Sequence, residues 1–314
     1  MRISTNGIIV NGQNRVLLIQ RSDSRTFAPP GGGLEFGELP PDGAAREVLE
    51  ETGLVVAADK LVSVFYWPNE PYPFLTFSFR CRVLGGELIP SRESPRVGYY
   101  PIVPLPRLVL PFHRKRVQIG LAYTAGAPYW GVQHMTWYED LGKRFLGQVA
   151  FRWYRLLRRL RGQSADAGRM PGWVLGAFVV IWNDAGAILW VKRTDVDLWN
   201  LPGGGANQDE PPWETAVRET FEETGLHVRL TDLSGVYAYQ DMPHLIFVFT
   251  AVIEHGQLTT GPESAAFAYF AVGAEPDNVV QQHVARAADA CLPRDRTLFR
   301  FQSSKTAVTV SAED

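Results

Sequence analysis

The sequence predicts two α/β domains in tandem, each a mixed sheet covered by helices on both faces. Three observations carry this expectation. Displaced by 172 positions, residues 21–54 match residues 193–226 at 16 of 34 positions without a gap, the mark of an internal duplication. Each copy alternates short apolar runs with helix-like segments, the order expected of an α/β unit. A length of 314 residues with 46% hydrophobic and 20% charged composition is globular and long enough for two cores.

The elements follow in order. "IIVNGQNRVLLIQR" and "VVIWNDAGAILWVKR" are apolar runs interrupted by Asn, Gly and Asp, so each predicts a β-hairpin. A glycine loop and a helix come next, the helix ending at Gly53 or Gly225 as C-terminal cap. "FLTFSFRCRV" and "HLIFVFTAVI" read as strands and align at a displacement of 170, so a connecting loop differs by two residues. The same displacement pairs Glu93-Ser94 with Glu263-Ser264, and His113 and Arg116 with His283 and Arg286. Segments 109–123 and 277–291 read as closing helices. The two domains are expected at 1–125 and 171–296, with a linker at 126–170 and a polar tail at 297–314.

The linker has no counterpart in the second copy. Within 141–162, Leu146, Val149, Trp153, Leu156, Leu157 and Leu160 recur at helical spacing beside seven Lys and Arg and no acid. This basic amphipathic helix is expected to join the domains by packing between them, or to touch an anionic membrane. A net charge of −2 argues against a general or sequence-specific nucleic-acid binder. Two distant cysteines and the absence of a long apolar stretch near Met1 lead us to expect a cytoplasmic protein, at most peripheral to a membrane.

The chemistry concentrates on the two central helices. Glu47, Glu50 and Glu51 cluster on one helical face, opposite Ala45, Val48, Leu49 and Thr52. Glu219, Glu222 and Glu223 repeat the arrangement opposite Val217, Thr220, Phe221 and Thr224. Adjacent carboxylates repel unless something positive sits among them, and a hard cation such as Mg²⁺ or Mn²⁺ suits oxygen ligands. Gly32, Gly33, Gly204 and Gly205 allow close backbone approach, so that N–H groups reach phosphate or carbonyls reach metal. Arg46 and Arg218 are placed to orient an acid, and Arg21 and Arg193 to hold a phosphate. These types together point to metal-assisted attack of water on phosphorus.

The pattern G-x5-E-x7-R-E-U-x-E-E-x-G-U, where U is a bulky apolar residue, resembles the Nudix box. It is met by Gly32, Glu38, Arg46, Glu47, Val48, Glu50, Glu51, Gly53 and Leu54. The second copy offers Gly204, Glu210, Arg218, Glu219, Thr220, Glu222, Glu223, Gly225 and Leu226, with Thr220 departing from the apolar position. The resemblance implies α/β/α sandwich domains that hydrolyse a nucleoside diphosphate linked to another moiety, X, a small-molecule nucleotide-type substrate. By the same analogy Glu47, Glu50 and Glu51 with the Gly32 carbonyl, and Glu219, Glu222 and Glu223 with Gly204, are the metal ligands. The family's general base is either a box glutamate or an acid on a later loop, for which Glu93 and Glu263 are the candidates. Pro71, Pro243 and Tyr72 resemble downstream residues of Nudix subgroups acting on ADP-ribose or dinucleoside polyphosphates. The alternative is a ligand-binding or regulatory protein on the same fold, with one or both sites inactive.

Overall fold

The computed structural model describes residues 1–68, 73–133, 172–293 and 295–303. The first half contains β1 (Arg2–Ile9), β2 (Arg15–Gln20), β3 (Phe27–Ala28), β4 (Gly31–Gly33), α1 (Pro40–Thr52), β5 (Leu54–Trp67), β6 (Phe74–Gly86), β7 (Arg96–Pro101), α2 (Pro111–Ala122) and β8 (Tyr129–Val132). The second repeats the order as β9 (Val174–Ile181), β10 (Ile188–Arg193), β11 (Trp199–Asn200), β12 (Gly203–Gly205), α3 (Pro212–Thr224), β13 (Leu226–Tyr239), β14 (His244–Gly256), β15 (Ser264–Phe270), α4 (Gln281–Cys291) and β16 (Leu298–Gln302). Each half builds one five-stranded mixed sheet, ordered β4-β1-β6-β5-β8 or β12-β9-β14-β13-β16. Each also builds a three-stranded antiparallel sheet, β3-β2-β7 or β11-β10-β15.

The expected hairpins turn where the sequence places them but do not stay paired. The Asn11 and Asn183 side-chain oxygens cap the reversals by accepting backbone N–H groups two and four residues on. Only single bridges, Val10 to Val16 and Trp182 to Ile188, join the two arms. β1 has β4 on one side and β6 on the other, so β2 finds no free edge there and starts the second sheet. The glycine loop also differs from expectation. Its three glycines form the edge strands β4 and β12, antiparallel to β1 and β9.

Both outer boundaries lie further out than expected. β8 closes the first sheet by running parallel to β5 from Ser63, and β16 closes the second by running parallel to β13 from Gly235. Ser63 and Gly235 are duplicates, so residues 129–132 and 298–302 are one repeated element. "YWGV" and "LFRF" share no identity, which hid the match from sequence comparison. The expected basic helix at 141–162 and most of the tail lie outside the described residues.

One apolar core is common to both halves. Ile3, Val48, Leu75, Phe77 and Phe79 of the first half join Leu175, Val179, Phe247 and Phe249 of the second in a single buried cluster. Phe77 stacks on its own duplicate, Phe247, with centroids 5.8 Å apart and planes 16° apart. Around that pair, Trp130 meets Phe249 at 5.6 Å while Phe299 meets Phe79 at 5.4 Å. These reciprocal contacts are those of a two-fold interface, here contained in one chain. The opposite face of each sheet has its own core, with Val117 of α2 or Ala287 of α4. Burial on both faces explains why β14 reads as an almost unbroken apolar run.

Phe77→Ala and Phe247→Ala should each destabilise the whole chain by roughly 3–5 kcal/mol. A double-mutant cycle should return a coupling of about 0.5–1.5 kcal/mol for the stacked rings. Urea unfolding in two separate transitions, with additive losses, would contradict a core common to both halves.

Candidate active site

Each box helix is set by its ends and one buried stripe. Pro40 and Pro212 occupy the first turn, where the missing N–H is no loss. Gly53 and Gly225 end the helices at φ 77° and 74°, a left-handed conformation that a side chain would strain. Ala44, Val48 and Thr52 form the buried stripe of α1, and Ala216, Thr220 and Thr224 that of α3. Leu49 and Phe221 also lie opposite the acids, yet they are 47% and 46% exposed. Each lies one residue, or 100°, round from the stripe and so falls outside it. Thr220 is accommodated in the stripe because its hydroxyl donates to the Ala216 carbonyl at 2.7 Å.

The repulsion among the box acids is answered first by arginine. Arg46 donates from Nε and Nη2 to the two Glu38 carboxylate oxygens (3.1 and 2.7 Å) and from Nη1 to Glu47 (2.9 Å) and Glu50 (3.5 Å). It also donates to the Gly33 carbonyl at 2.8 Å. Arg218 repeats every contact with Glu210, Glu219, Glu222 and the Gly205 carbonyl. The charge-assisted bond to Glu38 or Glu210 is the main cause that raises each guanidinium above its usual pKa, and Arg218 holds Glu210 below the usual carboxylate range. Gly33 and Gly205 therefore offer their carbonyls to an arginine.

Glu51 and Glu223 stand outside this clamp. Glu51 accepts the Gly31 N–H at 2.7 Å and the Ser94 hydroxyl at 3.2 Å, and Glu223 accepts the Gly203 N–H at 2.8 Å. Burial raises each carboxyl to about 7, and the neighbouring Glu47 or Glu219 adds to the effect. Burial also raises Glu47 and Glu219. Gly32 and Gly204 are required by contact. A Cβ on either would lie 2.5 or 2.6 Å from the carboxylate of Glu47 or Glu219. Desolvated carboxylates against bare backbone are a donor set that fits a hard divalent cation. Among the described residues no three His, Cys, Asp or Glu side chains are gathered as a finished cage, and Glu47 and Glu219 are paired with Arg46 and Arg218.

The remaining expected residues rim the site. Arg21 and Arg193 are forked onto Asp23 and Asp195, two residues on, at 2.7 and 2.6 Å. Their positive charge still reaches Glu51 or Glu223 and Glu93 or Glu263. Glu93 and Glu263 are exposed on loops stitched to the ends of β2 and β10 through their own carbonyls, which accept from Ser22 and Thr194. Sequence reasoning missed Ser94, Asp23 and Asp195; identity between the copies at Ser94/Ser264 and Asp23/Asp195 was the available signal. His283, which the duplication pairs with His113, has its buried Nδ1 accepting the Leu201 N–H at 3.0 Å and so holds the entry to β12. Burial keeps that imidazole neutral. Pro71 and Tyr72 lie outside the described residues.

A profile of the NUDIX domain matches residues 1–117 and 172–288, one match on each half. The chain belongs to the NUDIX domain family. Among its relatives, a putative 8-oxo-dGTP diphosphatase of Bacillus subtilis (strain 168) is 43% identical over 143 residues, 44% of this chain and 87% of that protein. A MutT-like protein of Streptomyces ambofaciens is 40% identical over 97 residues, 31% of this chain and 62% of that protein. A crystal structure of a MutT protein from Bacillus halodurans has 24% identity and a TM-score of 0.38, covering 43% of this chain and 91% of that one. The two structural halves are thus two NUDIX domains, and no helix among the described residues is long and apolar enough to cross a membrane.

The raised carboxyls of both NUDIX sites predict a stability signature in the cation-free protein. Folded Glu51 and Glu223 retain protons up to about 7, whereas an unperturbed glutamate releases its proton near 4.5. The native state then binds more protons between these values, so stability falls as pH rises through that window. In chelator, the wild-type Tm should drop between pH 5 and 8 relative to the Glu51→Gln, Glu223→Gln double variant, which cannot ionise there. Parallel melting curves across this range would remove the assignment.

Proposed function

We propose that the protein is a divalent-metal-dependent pyrophosphohydrolase. It cleaves a nucleoside diphosphate linked to X by water attack on phosphorus, with one site in each half. The observation that carries this reading is the repeated division of labour among the box acids. In both halves one arginine fixes three carboxylates, and a fourth, the partly buried Glu51 or the buried Glu223, is turned onto a glycine N–H. A purely structural acidic face would be solvated rather than buried.

Glu47, Glu50, Glu51 and the Gly32 carbonyl would hold Mg²⁺ or Mn²⁺ in the first half, and Glu219, Glu222, Glu223 and Gly204 in the second. The bound cation supplies positive charge against phosphate oxygens and makes the attacking water more acidic. Arg46 and Arg218 keep the acids oriented, through Glu38 and Glu210. Arg21 and Arg193, half-exposed at the rim, suit an incoming phosphate. Glu93 and Glu263 are our candidates to accept the proton of water, with the box glutamates as the other choice. The Bacillus subtilis relative favours oxidised and ordinary nucleoside triphosphates as the first substrates to try.

A panel of nucleoside triphosphates, nucleotide sugars and dinucleotides with Mg²⁺ or Mn²⁺, scored for phosphate and pyrophosphate release, tests this proposal. Glu51→Gln should silence one site and Glu223→Gln the other, each by about 10²-fold or more at its own site. Wild-type turnover in the double variant would exclude both helices from catalysis.

A further inference from the structure

Resting on the two-site reading above, we propose that Tyr66 of the first half is a positioning residue for the active site of the second half. Its hydroxyl donates to the backbone carbonyl of Asp209, across the interface between the halves. Tyr66 is only 4% exposed, and burial raises its phenol to about 12, so it remains a donor throughout the neutral range.

Asp209 is the strategic residue of its turn. It is a non-glycine residue at φ 64°, in the left-handed region that an ordinary side chain disfavours. The turn is closed by the Glu210 N–H on the Asn207 carbonyl, and the Glu210 carboxylate accepts the Asn207 N–H at 2.9 Å. The same carboxylate grips Arg218 with both oxygens, and Arg218 in turn fixes Glu219 and Glu222. A hydrogen bond from Tyr66 to the strained residue thus bears on the orientation of the box acids. Its net contribution is of the same order as the strain it opposes.

The reverse support is missing. At the displacement of 172 the duplicate of Tyr66 is Ala238, which has no hydroxyl, and the duplicate of Asp209 is Gly37. Gly37 takes φ 85° without a side chain to strain. The first site therefore holds its own turn, while the second depends on its neighbour.

The test is made in the full chain, with each site isolated in turn. Tyr66→Phe is introduced into Glu51→Gln, where only the second site works, and into Glu223→Gln, where only the first does. Turnover of the best nucleotide is measured beside Mn²⁺ binding by electron paramagnetic resonance. In the Glu51→Gln background both kcat/KM and Mn²⁺ affinity should fall about tenfold, the lower end of the loss for outer partners of metal ligands. In the Glu223→Gln background neither should change. Adding Asp209→Gly should restore the second site, because glycine holds the turn unaided, whereas Tm loss from the missing hydroxyl should persist. An equal fall at both sites, no fall at the second, or failure of the glycine rescue would overturn the proposal. If the chain turns over nothing, the catalytic reading fails, and Mn²⁺ binding still decides the role of Tyr66.

Discussion

The constraint on which the rest of this structure depends is electrostatic. Three carboxylates must share the surroundings of one guanidinium. Arg46 binds Glu38, Glu47 and Glu50 while also holding the Gly33 carbonyl, and Arg218 does the same with its own set. Partly buried carboxylates without such a partner would be strongly penalised. The arrangement dictates its neighbourhood. The helix must lie close against an edge strand, that strand must carry glycine where Glu47 or Glu219 touches it, and a turn must deliver Glu38 or Glu210 from outside the helix. Glu51 and Glu223, the acids outside the clamp, are consequently the ones whose protonation the burial most disturbs.

The duplication makes one chain do what two copies would do. The stacked Phe77 and Phe247 sit at the centre, and each half sends an edge-strand aromatic, Trp130 or Phe299, onto the sheet of the other. Because the halves share an apolar core, neither sheet has its inner face exposed. Linking the copies also frees them from strict symmetry, since a change in one half is not forced on the other.

The divergence is visible around the sites. Leu201 donates its N–H to His283, but Pro29 at the same place has none to offer, and the buried His113 Nδ1 has no partner. Ser94 donates to Glu51, whereas the buried Ser264 hydroxyl has no partner in the matching place. Gly37 and Asp209 occupy the same left-handed turn, one without strain and one with support from across the interface. The charged residues and glycines of the box are constant between copies, whereas the residues around them are not.

What the sequence determined by itself was local and repeated. The box spacing, the proline starts and glycine ends of the helices, the turns at Asn11 and Asn183, and the acids and arginines of both sites all depend on residues near one another in the chain. Local hydrogen bonding and helical periodicity fix such features before any distant segment arrives. The tertiary structure decided what depends on competition for partners. β1 chose β4 and β6 over β2, β8 and β16 found free sheet edges that no identity announced, and Leu49 fell outside a stripe it could have joined. The hydrogen bond from Tyr66 to the Asp209 carbonyl, across 143 residues of sequence, was decided there too. Each of these contacts joins groups far apart in sequence or turns on which face is already occupied. Pattern within a single segment carries no information about which distant partner will fill an edge, a face or a hydrogen bond.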